Sequence, residues 1–495
     1  KKTRNVDKHW MTDNIKAALE KRQSVFQKEG NTPRWKKLRN QVQSLIRKQK
    51  KYHYNMCIAN LKKQNPRDWW NFVNNELGRT QKSKRKITFT NIPEDQVADE
   101  LNNFFGEAMS IAILLICFHS HPSLELCNIG QVKAMLRNLN PRQASGPDDL
   151  PNWVLSLFCE DLGPVICHLM NVSYNTGIMP SVWKTANVCP VPKTSHPTCK
   201  KDWRPISLIS TLGKVQERLV LNRLLPLIKP WIKDQFAYMP KSSTTAALLK
   251  AYQSWLTDLD NKQPSVVRVL LADMSKAFDK VDHGILLKHL ATRGIATRML
   301  TWIQSYLSGR KQRVAANGQF SSWKDVTSGV PQGGVLSPYL FLVYMSSRTT
   351  KHATTTNIGY ADDIGLSRCM PCVTAETDDT MQEEADHLDS WATQNNMVMN
   401  GDKSYELRIC FSRIPPVLPP LILGGKEVPI VTCATYLGFK MTSNLKWDSH
   451  ISHATKKGSQ RLHYLRLLAK GGMPPDDLTT VYTTLIRSVL EYANV

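Results

Sequence analysis

Three carboxylates stand where strands should deliver them. Val266 to Ala272 is an apolar run of buried-strand length that ends on Asp273, and Asp362 and Asp363 lie side by side between two short strand-like runs, the place of a tight hairpin turn. Asp273 alone is most plainly a cap for a helix starting near Ser275 to Asp279, and Asp362-Asp363 alone could be a turn pair. Taken together they suit phosphoryl transfer from a nucleoside triphosphate. In-line attack spreads negative charge over attacking, leaving and equatorial oxygens, and two Mg²⁺ ions about 3.5 to 4 Å apart offset it. Hard ions take oxygen ligands, and two or three carboxylates hold both without filling their shells. On this chemistry Asp273 and Asp362 are bridging ligands and Asp363 is the third member.

The elements that must position these groups follow from periodicity. Short β-branched runs alternate with amphipathic helices between about 186 and 410: a strand at Val188 to Val191, a helix over 211–229, a strand at Val266 to Ala272, a helix over 284–307, a strand near Lys311 to Ala316, and the pair flanking Asp362. Residues 91–185 read as helices broken by turns. Prolines and glycines punctuate a β region from 415, and helices from about 448 to 493 close the chain.

Other motifs stand in order around the carboxylates: Asp202-Trp203-Arg204-Pro205-Ile206-Ser207, Gln235-Phe236-Ala237-Tyr238, Ala272-Asp273-Met274-Ser275-Lys276-Ala277-Phe278-Asp279, Gly329-Val330-Pro331-Gln332-Gly333-Gly334, Tyr360-Ala361-Asp362-Asp363, Asn400-Gly401-Asp402-Lys403 and Tyr436-Leu437-Gly438-Phe439. Over residues 125 to 495 this series resembles the reverse transcriptases of non-LTR (LINE-type, jockey-like) retrotransposons. The resemblance implies an α+β right-hand polymerase fold of fingers, palm and thumb, with a mostly antiparallel palm sheet preceded by a basic helical arm. It implies the domains 1–90 (arm and linker), 91–185 (helical extension), 186–414 (fingers and palm) and 415–495 (primer-grip hairpin and truncated thumb).

The same resemblance implies roles for single residues. Asp273, Asp362 and Asp363 would be catalytic metal ligands for two Mg²⁺, with Mn²⁺ as a substitute. Lys403 resembles the general acid for pyrophosphate departure, although a lysine near a helix C-terminus also complements the dipole. Lys193 and Arg204 resemble the cations that grip the triphosphate of the incoming dNTP, and plain surface bases are the alternative. Phe278 matches the aromatic gate beneath the sugar, against the alternative of a core ring. Gln332 would contact the incoming nucleotide from a turn whose glycines let the backbone approach a substrate closely. Tyr436, Leu437 and Gly438 look like the primer grip, and the basic stretch Lys456 to Arg466 like the thumb surface on duplex. Gln143 and Gly334 depart from the usual residues, and the apolar run 109–118 is foreign to the pattern.

Charge points to partners. The chain has 495 residues and a formal net charge of +24. Residues 1–86 carry 24 Lys and Arg against 6 Asp and Glu, a net of +18, and the other 409 residues carry 41 against 35, or +6. A field of that sign favours polyanions. From Arg34 to Asn60 apolar residues recur at 3-4-3 spacing among lysines and arginines, a basic amphipathic helix. The run Lys82-Ser83-Lys84-Arg85-Lys86 suits a nuclear import signal or a linker equally. Eleven scattered cysteines indicate a reduced, intracellular protein, and Cys369 and Cys372 lack the second pair a structural zinc needs. The ten-residue apolar run is about half of the ~20 residues that span a bilayer, so no membrane partner is expected.

A start on Lys1 and an end within a helical pattern suggest a fragment at both ends. The expected partners are an RNA template, a DNA primer or target and dNTPs, with an element-encoded endonuclease domain upstream. The expected location is nuclear, with a cytoplasmic ribonucleoprotein stage. An RNA-dependent RNA polymerase is a rival, and so is a catalytically decayed copy that acts only as a nucleic-acid binding protein.

Overall fold

A computed structural model of the chain describes residues 10–53, 65–76, 87–89, 92–107, 125–194, 196–260 and 263–493. The basic run 82–86 and the apolar run 109–118 lie outside these residues. The chain divides into two compact units, Lys86–Trp447 and Lys1–Arg85 with Asp448–Val495. Among the described residues, no helix is long and apolar enough to cross a membrane.

The described strands of the first unit are β1 (Thr185–Pro192), β2 (Trp203–Ile209), β3 (Ser265–Ala272), β4 (Arg310–Ala316), β5 (Gln319–Phe320), β6 (Lys324–Val326), β7 (Thr356–Tyr360), β8 (Asp363–Pro371), β9 (Tyr405–Cys410), β10 (Ile422–Leu423), β11 (Lys426–Glu427), β12 (Ile430–Val431), β13 (Cys433–Tyr436) and β14 (Phe439–Thr442). The central sheet runs β12-β9-β3-β8-β7. Its pairs β3/β8, β3/β9 and β7/β8 are antiparallel, and β12/β9 is parallel. β3 lies in the middle, which explains why it reads as an unbroken apolar run rather than an alternating one. It does carry one charge inward. Arg268 is fully buried, donating from Nε to Glu406 on β9 at 2.6 Å and from Nη2 to the Pro419 carbonyl at 2.7 Å.

A second sheet orders β2-β1-β4, with β5 and β6 both pairing to β4. The helix Val97–Gly106 lays Val97, Leu101 and Phe105 against Val188, Trp203 and Val314 of this sheet, a core of its own. The larger core joins the central sheet to the helices Cys159–Thr176, Thr211–Ile228, Thr297–Leu307, Ser337–Met345 and Thr380–Gln394. The helix Thr244–Leu259 is tied to the central sheet by side chains: Trp255 Nε1 donates to Ser367 Oγ at 2.8 Å, and the Ser254 and Thr356 hydroxyls meet at 2.7 Å.

One expected element is divided. The helix predicted over 284–307 is two, His283–Thr292 and Thr297–Leu307. Gly294, at φ +82°, ends the first, and the Ile295 N–H returns to the Leu290 carbonyl, closing that helix from beyond its end. The helix expected from Ser275 is a single turn, Ala277–Lys280.

The second unit has its own core. Helices Asp13–Glu29 and Pro33–His53 form a pair that buries Ile15, Val25 and Val42, while Leu45 and Tyr52 of the predicted apolar stripe stay exposed. Trp69, on the helix Pro66–Glu76, is buried with Val73 against Leu468, Met473 and Val481 of the C-terminal helices Asp448–Lys470 and Pro475–Val481. The N-terminal arm therefore shares a core with the last helices of the chain.

Candidate active site

Sheet register gathers the carboxylates. Ala272 of β3 faces Ile364 of β8, so one step further Asp273 stands opposite Asp363, and Tyr360 pairs with Asp363 across the turn Ala361-Asp362. Asp273 is held by its backbone: its N–H donates to Ser404 Oγ at 3.2 Å and its carbonyl accepts from the Asn400 N–H at 2.9 Å. Asn400 Nδ2 reaches its carboxylate at 3.5 Å.

Burial raises the pKa of Asp273, Lys403 opposes that rise, and Asp362 adds to it. Asp363 is pushed up to about 6, by burial first and then by the charges of Asp362 and Asp273. Asp362 is also raised by burial, with Arg204 pulling it back. Lys193 is lowered by burial and by Lys403 and Arg204. Three carboxylates at the sheet edge are thus faced by three cations. Among the described residues, no group of three or more His, Cys, Asp or Glu side chains is arranged so that it could hold a metal ion. The donor set nevertheless fits a divalent cation, because mutually repelling carboxylates gain most from one.

The remaining predicted residues surround this edge. Arg204 is exposed on β2 and Lys193 follows β1, its Nζ donating to the Lys201 carbonyl at 2.8 Å. Lys403 ends the turn Gly401–Lys403, exposed. Phe278 stacks on buried Phe341, centroids 4.2 Å apart and planes 14° from parallel, so one ring face belongs to the core. Tyr436 and Phe439 pair across a hairpin whose turn residues Leu437 and Gly438 both have positive φ, as a two-residue turn of that hand requires. The Tyr436 hydroxyl donates to the Ile358 carbonyl of β7 at 3.3 Å.

Glycines of the Gln332 loop let other segments of the backbone approach closely. A Cβ on Gly329 would lie 2.7 Å from the Asp279 carbonyl oxygen, and one on Gly333 2.5 Å from that of Ser207. Ser207 N–H donates to the Gln332 carbonyl at 2.7 Å, and buried Glu217 accepts from the Val335 and Leu336 N–H groups at 2.6 and 2.9 Å. The Gln332 side chain donates from Nε2 to Asp279 Oδ1 at 2.9 Å.

Four residues support the site without any signal of that role in the sequence: Asn400 and Ser404, which fix Asp273; Asp279, which holds Gln332; and Gln235, which holds the Asp362 turn. All four lie in or directly after motifs that stand out for other reasons. Their partners are far away in sequence, and only the fold reveals them.

Residues 191–441 match the family described as "Reverse transcriptase (RNA-dependent DNA polymerase)". The chain belongs to the reverse transcriptase family, on its jockey-like, non-LTR side. The RNA-directed DNA polymerase from mobile element jockey of Drosophila melanogaster is 30% identical over 67% of this chain and 37% of its own length. Its counterpart in Drosophila funebris is 28% identical over 73% and 40%. The Pol polyprotein of the R2 element of Popillia japonica is 26% identical over 59% and 44%. This reverse transcriptase chain thus spans less than half the length of these relatives. A shorter match, residues 447–488, is to the N-terminal region of alkylated DNA repair protein alkB homolog 8. Among solved structures, apo telomerase of Candida tropicalis covers 67% of the chain and 61% of its own at a TM-score of 0.40 and 14% identity. The family carries a right-hand polymerase fold of mixed α+β content, and the two sheets and their helices described above are of that content.

Proposed function

We propose that this chain is the polymerase portion of a jockey-like non-LTR retrotransposon protein, an RNA-directed DNA polymerase that extends a DNA 3′ end on an RNA template. The observation that carries this reading is the gathering of Asp273, Asp362 and Asp363 at one sheet edge opposite Lys193, Arg204 and Lys403. In the hand-like description, the second sheet and its helix are fingers, the central sheet is palm, and the helices after Asp448 are thumb.

Asp273 and Asp362 would hold Mg²⁺, two ions with Asp363 beside them, and Mn²⁺ would substitute. Bound there, the ions offset charge on the oxygens exchanging at phosphorus. The chain's own groups do the rest. Arg204 and Lys193 orient the triphosphate, Arg through its fork and Lys as a point charge. The primer 3′ hydroxyl gives its proton to water as its oxygen bonds to the α-phosphorus and the α–β bridge breaks, and Lys403 gives a proton to departing pyrophosphate, worth roughly 10² to 10⁴ in rate when well placed. Phe278, braced by Phe341, offers its free edge to the sugar and disfavours a 2′ hydroxyl. Gln332 contacts the nucleotide, and the Tyr436-Leu437-Gly438 hairpin holds the primer strand.

The priming end would be a nick in nuclear DNA, cut by an endonuclease domain of the same element, with the basic arm on RNA template or target. Extension of oligo(dT) on poly(rA) with Mg²⁺ by the wild-type chain, and its loss in Asp362→Asn, tests this. No incorporation by well-folded wild-type protein would favour a protein that only binds nucleic acid.

A further inference from the structure

Ala361 immediately precedes Asp362 in the turn and has φ +56°, the left-handed region that an alanine enters at a cost. The β7/β8 ladder ends at Tyr360 and Asp363, so it does not bond the turn itself. Gln235 does. Its Oε1 accepts the Ala361 N–H at 2.8 Å and the Ala237 N–H at 3.1 Å, and its Nε2 donates to the Ala361 carbonyl at 3.3 Å. Both polar groups of Ala361 are therefore satisfied by one side chain, and two N–H groups converging on one atom fix which end of the amide is oxygen. The segment bearing Gln235 is bonded to β7 as well: the Gly359 N–H donates to the Asp234 carbonyl at 2.7 Å, and the Phe236 N–H to the Gly359 carbonyl at 2.9 Å. Gly359 has room for this, since a Cβ there would meet Gln235 Nε2 at 3.0 Å.

We propose that Gln235 is a positioning residue for catalysis: it clamps the Ala361 peptide and so holds the strained turn in the one conformation that presents Asp362 to a metal. This rests on the reading of Asp362 as a ligand. Gln235 acts through Ala361, so its removal should change turnover and metal demand rather than nucleotide affinity. The defect should also be rescued by removing the strain.

The experiment compares wild type, Gln235→Met, Ala361→Gly and the double variant in poly(rA)/oligo(dT) extension, titrating Mg²⁺ and dTTP separately. Gln235→Met keeps the length and removes every hydrogen bond. It should lower kcat by about ten- to a hundredfold, as expected when two backbone hydrogen bonds beside a reacting group are removed, and raise the half-saturating Mg²⁺, with KM for dTTP within about threefold. Ala361→Gly should be within about threefold of wild type, because glycine accepts positive φ freely, and the double variant should recover about tenfold of the loss. Wild-type kcat in Gln235→Met, or a double variant no better than it, overturns the proposal.

Amide hydrogen exchange over residues 356–366 reads the same clamp without catalysis. Exchange at Ala361 should speed up in Gln235→Met, and unchanged exchange overturns the clamp even if the wild type proves inactive. Wild-type inactivity with the exchange change intact would count against the functional reading alone. Should Gln235→Met not fold, Gln235→Glu retains the acceptor, sets a carboxylate against the Ala361 carbonyl, and is expected to lose about tenfold in kcat, and a wild-type kcat there also overturns the proposal.

Discussion

The two units of the chain differ sharply in charge. Residues 1–85 with 448–495 hold 29 Lys and Arg against 10 Asp and Glu, a net of +19, whereas residues 86–447 hold 36 against 31, or +5. The basic unit has a small core around Trp69 and none of the carboxylates proposed for chemistry. The nearly balanced unit spends its acids on particular tasks: Glu406 neutralises Arg268, Glu217 holds the Gln332 loop, Asp279 holds Gln332 itself, and three aspartates crowd one sheet edge. Holding a polyanion needs many cations and little geometry, while chemistry on one phosphorus needs few charges at fixed places. The proposed function asks for both, and each unit has the charge balance that suits one of them.

Asp362→Asn should separate chemistry from binding most strongly. It should cost extension roughly a thousandfold or more, since several kcal/mol of metal-borne charge stabilisation goes with the ligand. Affinity for primer–template, and its slope with salt, should stay as in wild type. A parallel fall in binding would show that the acidic edge also helps hold the polymer.

Stability should divide the same way. Glu406→Ala strands the buried guanidinium of Arg268, and breaking such a pair costs about 3–5 kcal/mol, read by denaturant unfolding of the larger unit. Trp69→Ala empties the shared core of the smaller unit at about the same cost, and its effect should appear as faster exchange in Asp448–Lys470, far along the chain. No change in that helix would mean the arm and the C-terminal helices fold independently. By this logic, removing residues 1–86 would unseat the last helices as well as the arm, so deletion is a poor measure of what the arm binds.

Charge removal on an intact fold is the better measure. The helix Pro33–His53 carries eight Lys and Arg and no acid, and Lys36 and Arg47, like Lys37 and Lys48, lie eleven residues apart, three turns along one face. All four are exposed. Replacing them with Gln should reduce the slope of log affinity against log salt by roughly one unit for each phosphate left without a cation, with kcat at saturating primer–template unchanged. An unaltered slope would move the nucleic-acid surface elsewhere.

What sequence could and could not disclose follows from distance along the chain. β3 and the hairpin at Asp362 were legible because a buried central strand is apolar throughout and a two-residue turn leaves polar residues between two short runs. The break at Gly294 was not, because apolar residues continue on both sides and periodicity alone does not see a left-handed glycine. The carboxylates were legible as types in order. Their supports were not, since Gln235 to Ala361, Asp279 to Gln332 and Asp273 to Asn400 are each pairs more than fifty residues apart, joined only by the fold. Trp69 sharing a core with Leu468 is a longer leap still, about four hundred residues.

The smallest effect concerns the cost of keeping three acids together. Burial and the charges of Asp362 and Asp273 push the Asp363 carboxyl up to about 6, above the ordinary carboxylate value. Between those two values the folded state binds more protons than the unfolded one, so stability of the metal-free protein should fall as pH rises from about 4 through 6 and level off above. Neighbouring groups desolvate the Asp363 carboxyl, yet part of the residue still meets water, which screens the effect, so a shift of a few degrees in melting temperature is the expected scale. Asp363→Asn should flatten that dependence and melt higher than wild type at pH 7, and adding Mg²⁺ should raise the wild type more than the variant. A wild-type melting temperature that climbs with pH across the same window would mean that the neighbouring cations, rather than the other two aspartates, set the charge state at this edge.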